Sequence, residues 1–225
     1  PYDSYQPFGN ISYTALSRTA MQVAHASRSL RMLDTRLGDI LDRQIGYLPP
    51  TLFMLGVSYT PHEFAESVYL KGDYVALTSF THHPFGQDFA LESADNRMLD
   101  TFHNVPLDSL MHTIVSSLRH GHPVCWEGDI SEPGFNFQRG CATLPDEQHT
   151  PTQAERQWAF EQFFTTDDHC MELCGLARDV EGHLFFIAKN SWGTGNPYRG
   201  FMYLSYNYAR MKTIAVIVKN LNKTL

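Results

Sequence analysis

The chain has 225 residues, of which 43% are hydrophobic and 13% aromatic, as is typical of a packed globular protein and not of a disordered segment. Its net charge of -7 and its pI near 5.8 argue against nucleic acid or an anionic membrane as a partner. No apolar run reaches the roughly 18 residues that a membrane span needs. We therefore expect a soluble protein. No signal peptide is present, but the chain begins Pro1-Tyr2 rather than Met, so its start is not informative about export and the compartment, cytoplasmic or exported, stays open.

The first third of the chain is predicted to be helical. Between Thr14 and Gln44 apolar residues recur at steps of three and four, and Gly46 with the Pro49-Pro50 pair ends this pattern. The segment Thr60 to Glu63 carries the start signals of a second, short helix, with threonine as N-cap and proline at the first helical position. Tyr74 to Phe80 is then predicted to be a strand.

The middle of the chain alternates regular elements with two irregular segments. His82 to Val105 is rich in Gly, Pro, Asp, Asn and His, and we expect a long ordered loop there, of the kind that is often functional. A helix is predicted for Leu107 to Leu118 and a strand for Pro123 to Ile130. A second irregular segment, Ser131 to Pro151, precedes a capping box that opens a helix from Thr152 to about Phe164.

The last sixty or so residues are predicted to be rich in β-structure. Cys170 to Ala177 and Leu184 to Lys189 flank a turn and indicate a hairpin, and two more strands are predicted at Phe201 to Ser205 and Ile214 to Val218. The pattern favours an α+β fold with helices first and a mostly antiparallel sheet after them. We divide it into residues 1–100, helical with the long loop, and residues 101–225, rich in β-structure.

Two short motifs in this last part carry chemistry. Asp168-His169 precedes the first hairpin strand, and Asn190-Ser191-Trp192-Gly193 follows the second. A thiol is a strong nucleophile only as its thiolate, which a neighbouring imidazolium favours. In such a site Asn190 would orient the His169 ring through its far nitrogen, Trp192 would cover that hydrogen bond, and His169 would protonate the leaving amine.

Each motif alone has a simpler interpretation. A single histidine near an asparagine is usually structural, and Asn, Ser and Gly all favour turns. The order, the spacing and the β context of the two motifs together favour the catalytic interpretation.

The two motifs belong to a wider resemblance. From about Ile40 to Val218 the chain resembles papain-like cysteine peptidases of the bleomycin hydrolase and aminopeptidase C branch. The matching stretches include Asn104 to Asp108, Gly121 to Trp126, Thr165 to His169 and Ala188 to Gly193. The resemblance implies a papain-like fold, for which this chain provides the β-rich half, part of the helical layer and the family insertions. It also implies that His169 is the catalytic histidine, that Asn190 orients it, and that Asp168 is the acidic residue that often precedes it.

The nucleophile of that family is missing from the sequence. The family has a cysteine-tryptophan motif at the start of a helix, far upstream of the histidine and preceded by a glutamine. Cys125-Trp126 is much closer to His169 than the roughly 130 residues usual in papain-like enzymes and lies on a predicted strand. The Cys170 side chain should point to the face of its strand opposite His169.

Three explanations remain for the missing cysteine. It could lie on an upstream fragment of the same precursor, retained as a separate chain, which is our first choice. It could lie on a segment that this sequence does not include, or the domain could be a catalytically silent binding or scaffold module. We therefore expect a cysteine-type peptidase acting on peptides that is inactive as this chain alone.

Other features refine these expectations. Only Lys219 to Leu225 follows the last predicted strand, whereas the bleomycin hydrolase branch places a C-terminal arm in its cleft. Endopeptidase action is therefore open as well as aminopeptidase action. Members of the branch often form hexamers, which leaves a homo-oligomer open.

No cofactor and no metal are expected. The candidate ligands, His82-His83 and the pair His120 and His122, have no carboxylate or cysteine partners at a recognised spacing. The four cysteines are too sparse for a disulfide scaffold, and Cys170 and Cys174 are too far apart along a strand for an easy bridge. All four are expected to be thiols.

Overall fold

The computed structural model describes residues 13–47, 49–70, 72–93 and 96–221. The chain divides into two compact units, Pro1–Leu70 and Lys71–Leu225. Within the described ranges, no helix combines the length and the apolar character needed to cross a membrane. The division into functional parts at residue 100 stays a prediction.

The first unit is mainly helical. Its described elements are α1 (Tyr13–Ala26), α2 (Leu30–Gln44), β1 (Leu52–Met54), β2 (Val57–Tyr59) and α3 (Pro61–Val68). The prediction of one continuous helix from Thr14 to Gln44 is wrong. Ser29 has extended backbone and its side chain accepts a hydrogen bond from the Met32 N–H, so it caps a new helix, as serine commonly does.

The start of α3 follows its sequence signals. The Thr60 side chain accepts from the Glu63 N–H, and the Glu63 carboxylate accepts from the Thr60 N–H at 2.7 Å. The hairpin of β1 and β2, which pairs Leu52 with Tyr59, was not predicted, because each strand is only three residues long.

Large apolar side chains lie open on the first unit. Neither α2 nor α3 has a buried residue, although both are amphipathic. Leu30 and Leu55 are 84% and 96% exposed, and Phe53 is 74% exposed. Such a concentration of exposed apolar groups is unusual for a surface that faces water in the working protein.

The second unit is built on one mixed sheet with three described helices. The strands are β3 (Tyr74–Thr78), β4 (Asp88–Ala90), β5 (Thr101–Asn104), β6 (Val124–Gly128), β7 (Phe135–Asn136), β8 (Cys141–Ala142), β9 (His169–Arg178), β10 (Leu184–Lys189), β11 (Phe201–Ser205) and β12 (Thr213–Lys219). The helices are α4 (Leu107–Arg119), α5 (Gln153–Glu161) and α6 (Tyr206–Lys212). The strand order across the sheet is β4-β5-β3-β12-β6-β9-β10-β11-β8-β7.

Two predictions for this unit need correction. The segment His82 to Val105 is not only loop, because β4 and β5 lie within it and β5 pairs in parallel with β3. The segment Ser131 to Pro151 contains β7 and β8. These strands of two to four residues are defined by distant partners, so a local pattern does not reveal them.

The main core lies between α4 and the centre of the sheet. Leu110, Met111 and Ile114 of α4 are fully buried. They belong to the same cluster of buried side chains as Trp126 of β6 and Leu173 of β9. Burial of each large side chain stabilises the fold by about 1.5–3 kcal/mol. The positions of β6 and β9, and of the residues at their ends, are therefore well defined.

One irregularity interrupts the pairing of β9 with β10. Ile187 pairs with Gly175, but the next residue, Ala188, pairs with Leu173. Cys174 is therefore the extra residue of a β-bulge.

Candidate functional site

His169 is the first residue of β9 and lies opposite Gly128, the last residue of β6. Glycine at this position has a steric reason. A Cβ on Gly128 would collide with the Lys212 carbonyl oxygen and with the Trp126 ring. The absence of a side chain therefore lets the end of β6 lie close to the Lys212 carbonyl. The imidazole of His169, opposite Gly128, is half-buried.

Asn190 directly follows β10, the antiparallel partner of β9. Asn190 is only 8% exposed, and its Oδ1 lies 3.0 Å from His169 Nε2. The same oxygen accepts the Ser191 N–H at 2.7 Å, and Asn190 Nδ2 contacts the Met202 sulfur at 3.5 Å. The two side chains that the sequence analysis paired are thus within hydrogen-bond reach.

This arrangement selects one tautomer of His169. The Ser191 N–H can only donate, so the Asn190 side-chain atom that faces it must be the amide oxygen and not the amide nitrogen. That oxygen can only accept, so His169 Nε2 must carry a proton and donate it. The lone pair of the neutral ring is then on Nδ1, for which no hydrogen bond is recorded among the described residues. His169 is accordingly oriented to exchange a proton at Nδ1.

Trp192 lies beside the imidazole. The ring centroids are 5.0 Å apart and the planes are inclined by 43°. Phe135 and Phe137 contact the indole edge-to-face at 5.8 and 5.4 Å, a favoured aromatic geometry. Trp192 remains 48% exposed, so it shields one side of the ring only. Phe137 was missed, since it lies in a segment that has no periodic pattern.

Asp168 braces the backbone beside the site. Its carboxylate accepts the Ile130 N–H at 2.9 Å and the Thr166 hydroxyl at 3.2 Å, which links the residues after β6 to those before β9. No hydrogen bond between the Asp168 side chain and His169 is recorded among the described residues. Its neighbour Asp167 accepts the Ser93 hydroxyl at 2.7 Å.

A buried charge cluster contacts the segment that precedes His169. Lys212 and Asp129 are 2% and 0% exposed, and Lys212 Nζ lies 3.6 Å from an Asp129 oxygen. Glu132 also contacts Lys212 Nζ, which donates to the Phe164 carbonyl at 2.6 Å. Asp129 accepts the Thr166 N–H at 3.0 Å. Lys212 therefore holds the segment that leads into His169 through the Phe164 carbonyl, and Asp129 holds it through the Thr166 N–H.

Two cavities flank the His169–Asn190 pair. One, of about 420 Å³, is lined by His169, Cys170 and four carboxylate residues that include Glu127. The other, of about 510 Å³, is lined by Asn190 and Ser191 and also by Cys170. An oriented histidine between two open cavities is suited to act on a ligand that lies across both.

Comparisons with known proteins identify the fold that carries this site. No protein-family model matches the chain. Aminopeptidase G of Lactobacillus delbrueckii subsp. lactis is 25% identical over 154 residues, which are 65% of this chain and 35% of that protein. The crystal structure of PepW from Lactobacillus rhamnosis HN001 (DR20) matches 94% of this chain and 54% of its own, with a TM-score of 0.66 and 16% identity. The chain has the fold of the papain-like cysteine peptidases.

The chain resembles cysteine peptidases of the aminopeptidase C and bleomycin hydrolase type, and the predicted α+β papain-like fold is confirmed. The bromelain protease of Ananas comosus matches 51% of this chain and 46% of its own at 16% identity, but its TM-score of 0.32 is too low to support an argument. This papain-like chain spans about a third of the length of aminopeptidase G and about half of PepW.

The structure places the Glu92 carboxylate beside His82 and His83, a contact that was not predicted from the sequence. Nε2 of His82 and Nε2 of His83 lie 3.0 and 2.7 Å from the Glu92 carboxylate. Gln157 Nε2 lies 2.9 Å from His82 Nδ1, while the Gln157 oxygen accepts the Thr81 N–H. His82 Nδ1 therefore accepts, and His82 Nε2 carries the proton that it donates to Glu92. A protonated Nε2 is not a metal ligand, so these hydrogen bonds indicate that the cluster stabilises the loop and does not bind a metal.

The other candidate ligands and nucleophiles lie elsewhere. His120 hydrogen-bonds the Ser116 carbonyl at the end of α4, and His122 lies in the following turn. Cys125 is within β6, as expected. Cys170 lies on the β9 face opposite the buried Met171, and its sulfur contacts Cys125.

The acidic side chain of Glu127 gives the folded chain a testable dependence of stability on pH. Glu127 is half-buried in the cavity wall and has no hydrogen bond or ion pair among the described residues. Burial, and then the nearby Asp167, raise the pKa of its carboxyl above the ordinary 4.5. The folded chain therefore keeps this proton to higher pH than the unfolded chain does. The free energy of unfolding must then fall as pH rises from the ordinary pKa through the raised one.

Glu127→Gln is expected to remove that fall. Urea unfolding should show the variant as more stable than the wild type at about pH 7 and closest to it near pH 4, where both groups are neutral. Glu172→Gln, on the same face of the sheet but exposed, is the control and should show no such gain. A Glu127→Gln chain that is less stable than the wild type at neutral pH would contradict this account.

Proposed function

We propose that this chain carries the histidine and asparagine of a thiol peptidase, and that the cysteine nucleophile is provided by a segment outside these 225 residues, on an upstream fragment or a separate chain. On this proposal the chain alone is inactive. The observation that carries it is the hydrogen bond between His169 and Asn190, which leaves Nδ1 of the imidazole as the proton-exchanging atom.

The chemistry follows from that geometry. A thiolate formed beside Nδ1 adds to the carbonyl carbon of a peptide, and the imidazolium gives its proton to the leaving amine as the C–N bond breaks. A water molecule then attacks the thioester, gives a proton to His169, and releases the carboxylic acid and the thiolate. Asn190 holds the ring in place through both steps, since its oxygen binds the Nε2 proton throughout.

The cysteines of this chain are poor candidates for the nucleophile. The sequence has no cysteine before Cys125. Cys125 lies within β6, away from any helix N-terminus that would favour a thiolate, and the neighbouring thiol and burial raise its pKa. Cys170 lies on the opposite face of β9 from His169. These positions support a nucleophile that comes from elsewhere.

The surface of the first unit supports the same proposal. The exposed apolar side chains of α2 and of the β1–β2 hairpin are typical of a surface that another polypeptide segment covers. A peptide substrate, the exo- or endopeptidase mode of action and a homo-oligomeric assembly remain parts of the proposal. The alternative is a catalytically silent papain-like module, in which the His169–Asn190 pair only stabilises the ends of β9 and β10.

Labelling with a thiol-directed epoxide separates these functions. The protein that includes the region before Pro1 is treated with the epoxide and mapped by mass spectrometry, alongside its His169→Ala variant. We expect one cysteine outside these 225 residues to be labelled quickly, and the labelling to fall in the variant because the thiolate loses its imidazolium partner. His183→Ala, on the exposed hairpin, is the matched control and should label like the wild type.

The other outcomes decide against the proposal. No labelling of any cysteine supports the silent module. Labelling of Cys125 or Cys170, lost on His169→Ala, assigns the nucleophile to this chain itself. A native mass of 25.6 kDa for the active species, with no companion chain, excludes a separately cleaved fragment.

A further inference from the structure

Two thiols meet on the open face of the sheet beside the site. Cys125 of β6 lies opposite Glu172, and Cys170 of β9 lies opposite Glu127, so the two cysteines are diagonal neighbours on one face. Their sulfurs are 3.5 Å apart, and both are free thiols. A disulfide bond of about 2.05 Å requires the sulfurs to approach by about a further 1.5 Å. Because diagonal neighbours on antiparallel strands lie about 7–8 Å apart, β6 and β9 must also move slightly closer together for the bond to form.

The two thiols are not equivalent. Cys170 is exposed, whereas Cys125 is half-buried. The hydrogen bond from the Cys125 thiol lowers the pKa of Cys170. The partial burial of the Cys170 sulfur and the carboxylates of Glu127 and Asp167 oppose this effect. The same contact, with burial, raises the pKa of Cys125. Cys170 is thus the thiol that ionises first and meets a dissolved oxidant first.

The position of the pair connects it to the site. Cys170 follows His169 in β9 and lines both cavities, and Cys125 lines the cavity that also holds Asn190. A bond between the two sulfurs would lie in the wall that the two cavities share. It would also tie β6 to β9 next to the residue that carries the imidazole.

We propose that Cys125 and Cys170 are an oxidation site, which a peroxide converts to an intramolecular disulfide. The Cys170 thiolate attacks one oxygen of hydrogen peroxide, the O–O bond breaks, and a sulfenic acid and hydroxide form. The Cys125 thiolate then attacks the Cys170 sulfur, the S–S bond forms, and the second oxygen leaves as hydroxide. Two thiols are oxidised, and one peroxide is reduced to two molecules of water after proton transfer.

The test uses the 225-residue chain and needs no peptidase activity. The chain is treated with hydrogen peroxide, alkylated with N-ethylmaleimide, digested without reduction and mapped by mass spectrometry. We expect two of the four cysteines to become resistant to alkylation, a peptide pair joined through Cys125 and Cys170, and recovery of all four thiols after dithiothreitol.

The chain offers its own controls. Cys174→Ser, on the same strand and also exposed, should keep the bridged peptide. Cys170→Ser should abolish the bridge, and Cys125→Ser should leave a sulfenic acid on Cys170 that dimedone traps. The proposal is overturned if the wild-type chain is alkylated at all four cysteines, is overoxidised without a bridge, or bridges through Cys141 or Cys174. Because the readout is chemical, neither result bears on whether the chain belongs to an active peptidase.

Discussion

Replacing His169 with alanine is expected to lower kcat/KM for peptide hydrolysis by about 10²- to 10⁴-fold, the usual contribution of a positioned acid–base group. The reason is the hydrogen bonding of the ring. Nε2 lies 3.0 Å from Asn190 Oδ1, which leaves Nδ1 to exchange the proton. The measurement is steady-state hydrolysis of a fluorogenic peptide by the protein that includes the nucleophile segment. His183→Ala changes an exposed histidine of the hairpin and should have no effect on kcat/KM.

Asn190→Ala tests the second half of the pair as a positioning residue. Its loss should be smaller, about 10- to 100-fold, by analogy with removal of the group that orients a metal-binding histidine. The fall should appear in kcat with KM nearly unchanged, and the limb of the pH–rate profile that reports the imidazolium should move, because Asn190 no longer holds the Nε2 proton. A purely structural role would not move the pH profile. Full activity of Asn190→Ala would refute the assignment.

Lys212→Met is expected to lower the free energy of unfolding by about 3–5 kcal/mol, the usual effect of removing one partner of a buried ion pair. Lys212 and Asp129 are 2% and 0% exposed. Methionine fills a similar volume but leaves the Asp129 carboxylate buried without its cation, and the Phe164 carbonyl loses its donor. Urea unfolding of the chain, followed by circular dichroism, measures the difference.

The matched control removes a lysine from a solvated pair. Lys189 lies 3.8 Å from Glu172, and the two side chains are 62% and 46% exposed. Lys189→Met should therefore change the stability by less than about 1 kcal/mol. If Lys212→Met behaves like Lys189→Met, the charge cluster does not stabilise the segment that leads into His169.

Much of the site could be predicted because its residues lie in one stretch of the chain. His169 and Asn190 flank a single hairpin, and antiparallel pairing of β9 with β10 brings its two ends together whatever the rest of the sheet does. The capping boxes at Thr60 and Thr152 are equally local, and both form as their side chains require.

The features that sequence did not reveal depend on distant partners or on very short segments. The approach of Cys125 to Cys170 depends on the register of β6 against β9, which are not consecutive strands. The seven residues of α6 make barely two turns, too few for an apolar repeat to stand out. The break at Ser29 was hidden because an apolar repeat continues on both sides of it, and only the cap geometry divides the helix.

The bulge at Cys174 has a consequence for how this hairpin can vary in length. Side chains along a strand alternate between its faces, so deleting the extra residue would exchange inside for outside over part of β9. If the residues before the bulge changed face, the imidazole would turn away from the carboxamide, and Met171 and Leu173 would be expelled into water with it. The tip between Asp179 and His183 has no such constraint, since its residues are exposed. Related chains are therefore free to lengthen or shorten this hairpin at its tip, whereas the parity of the residue count along β9 is fixed.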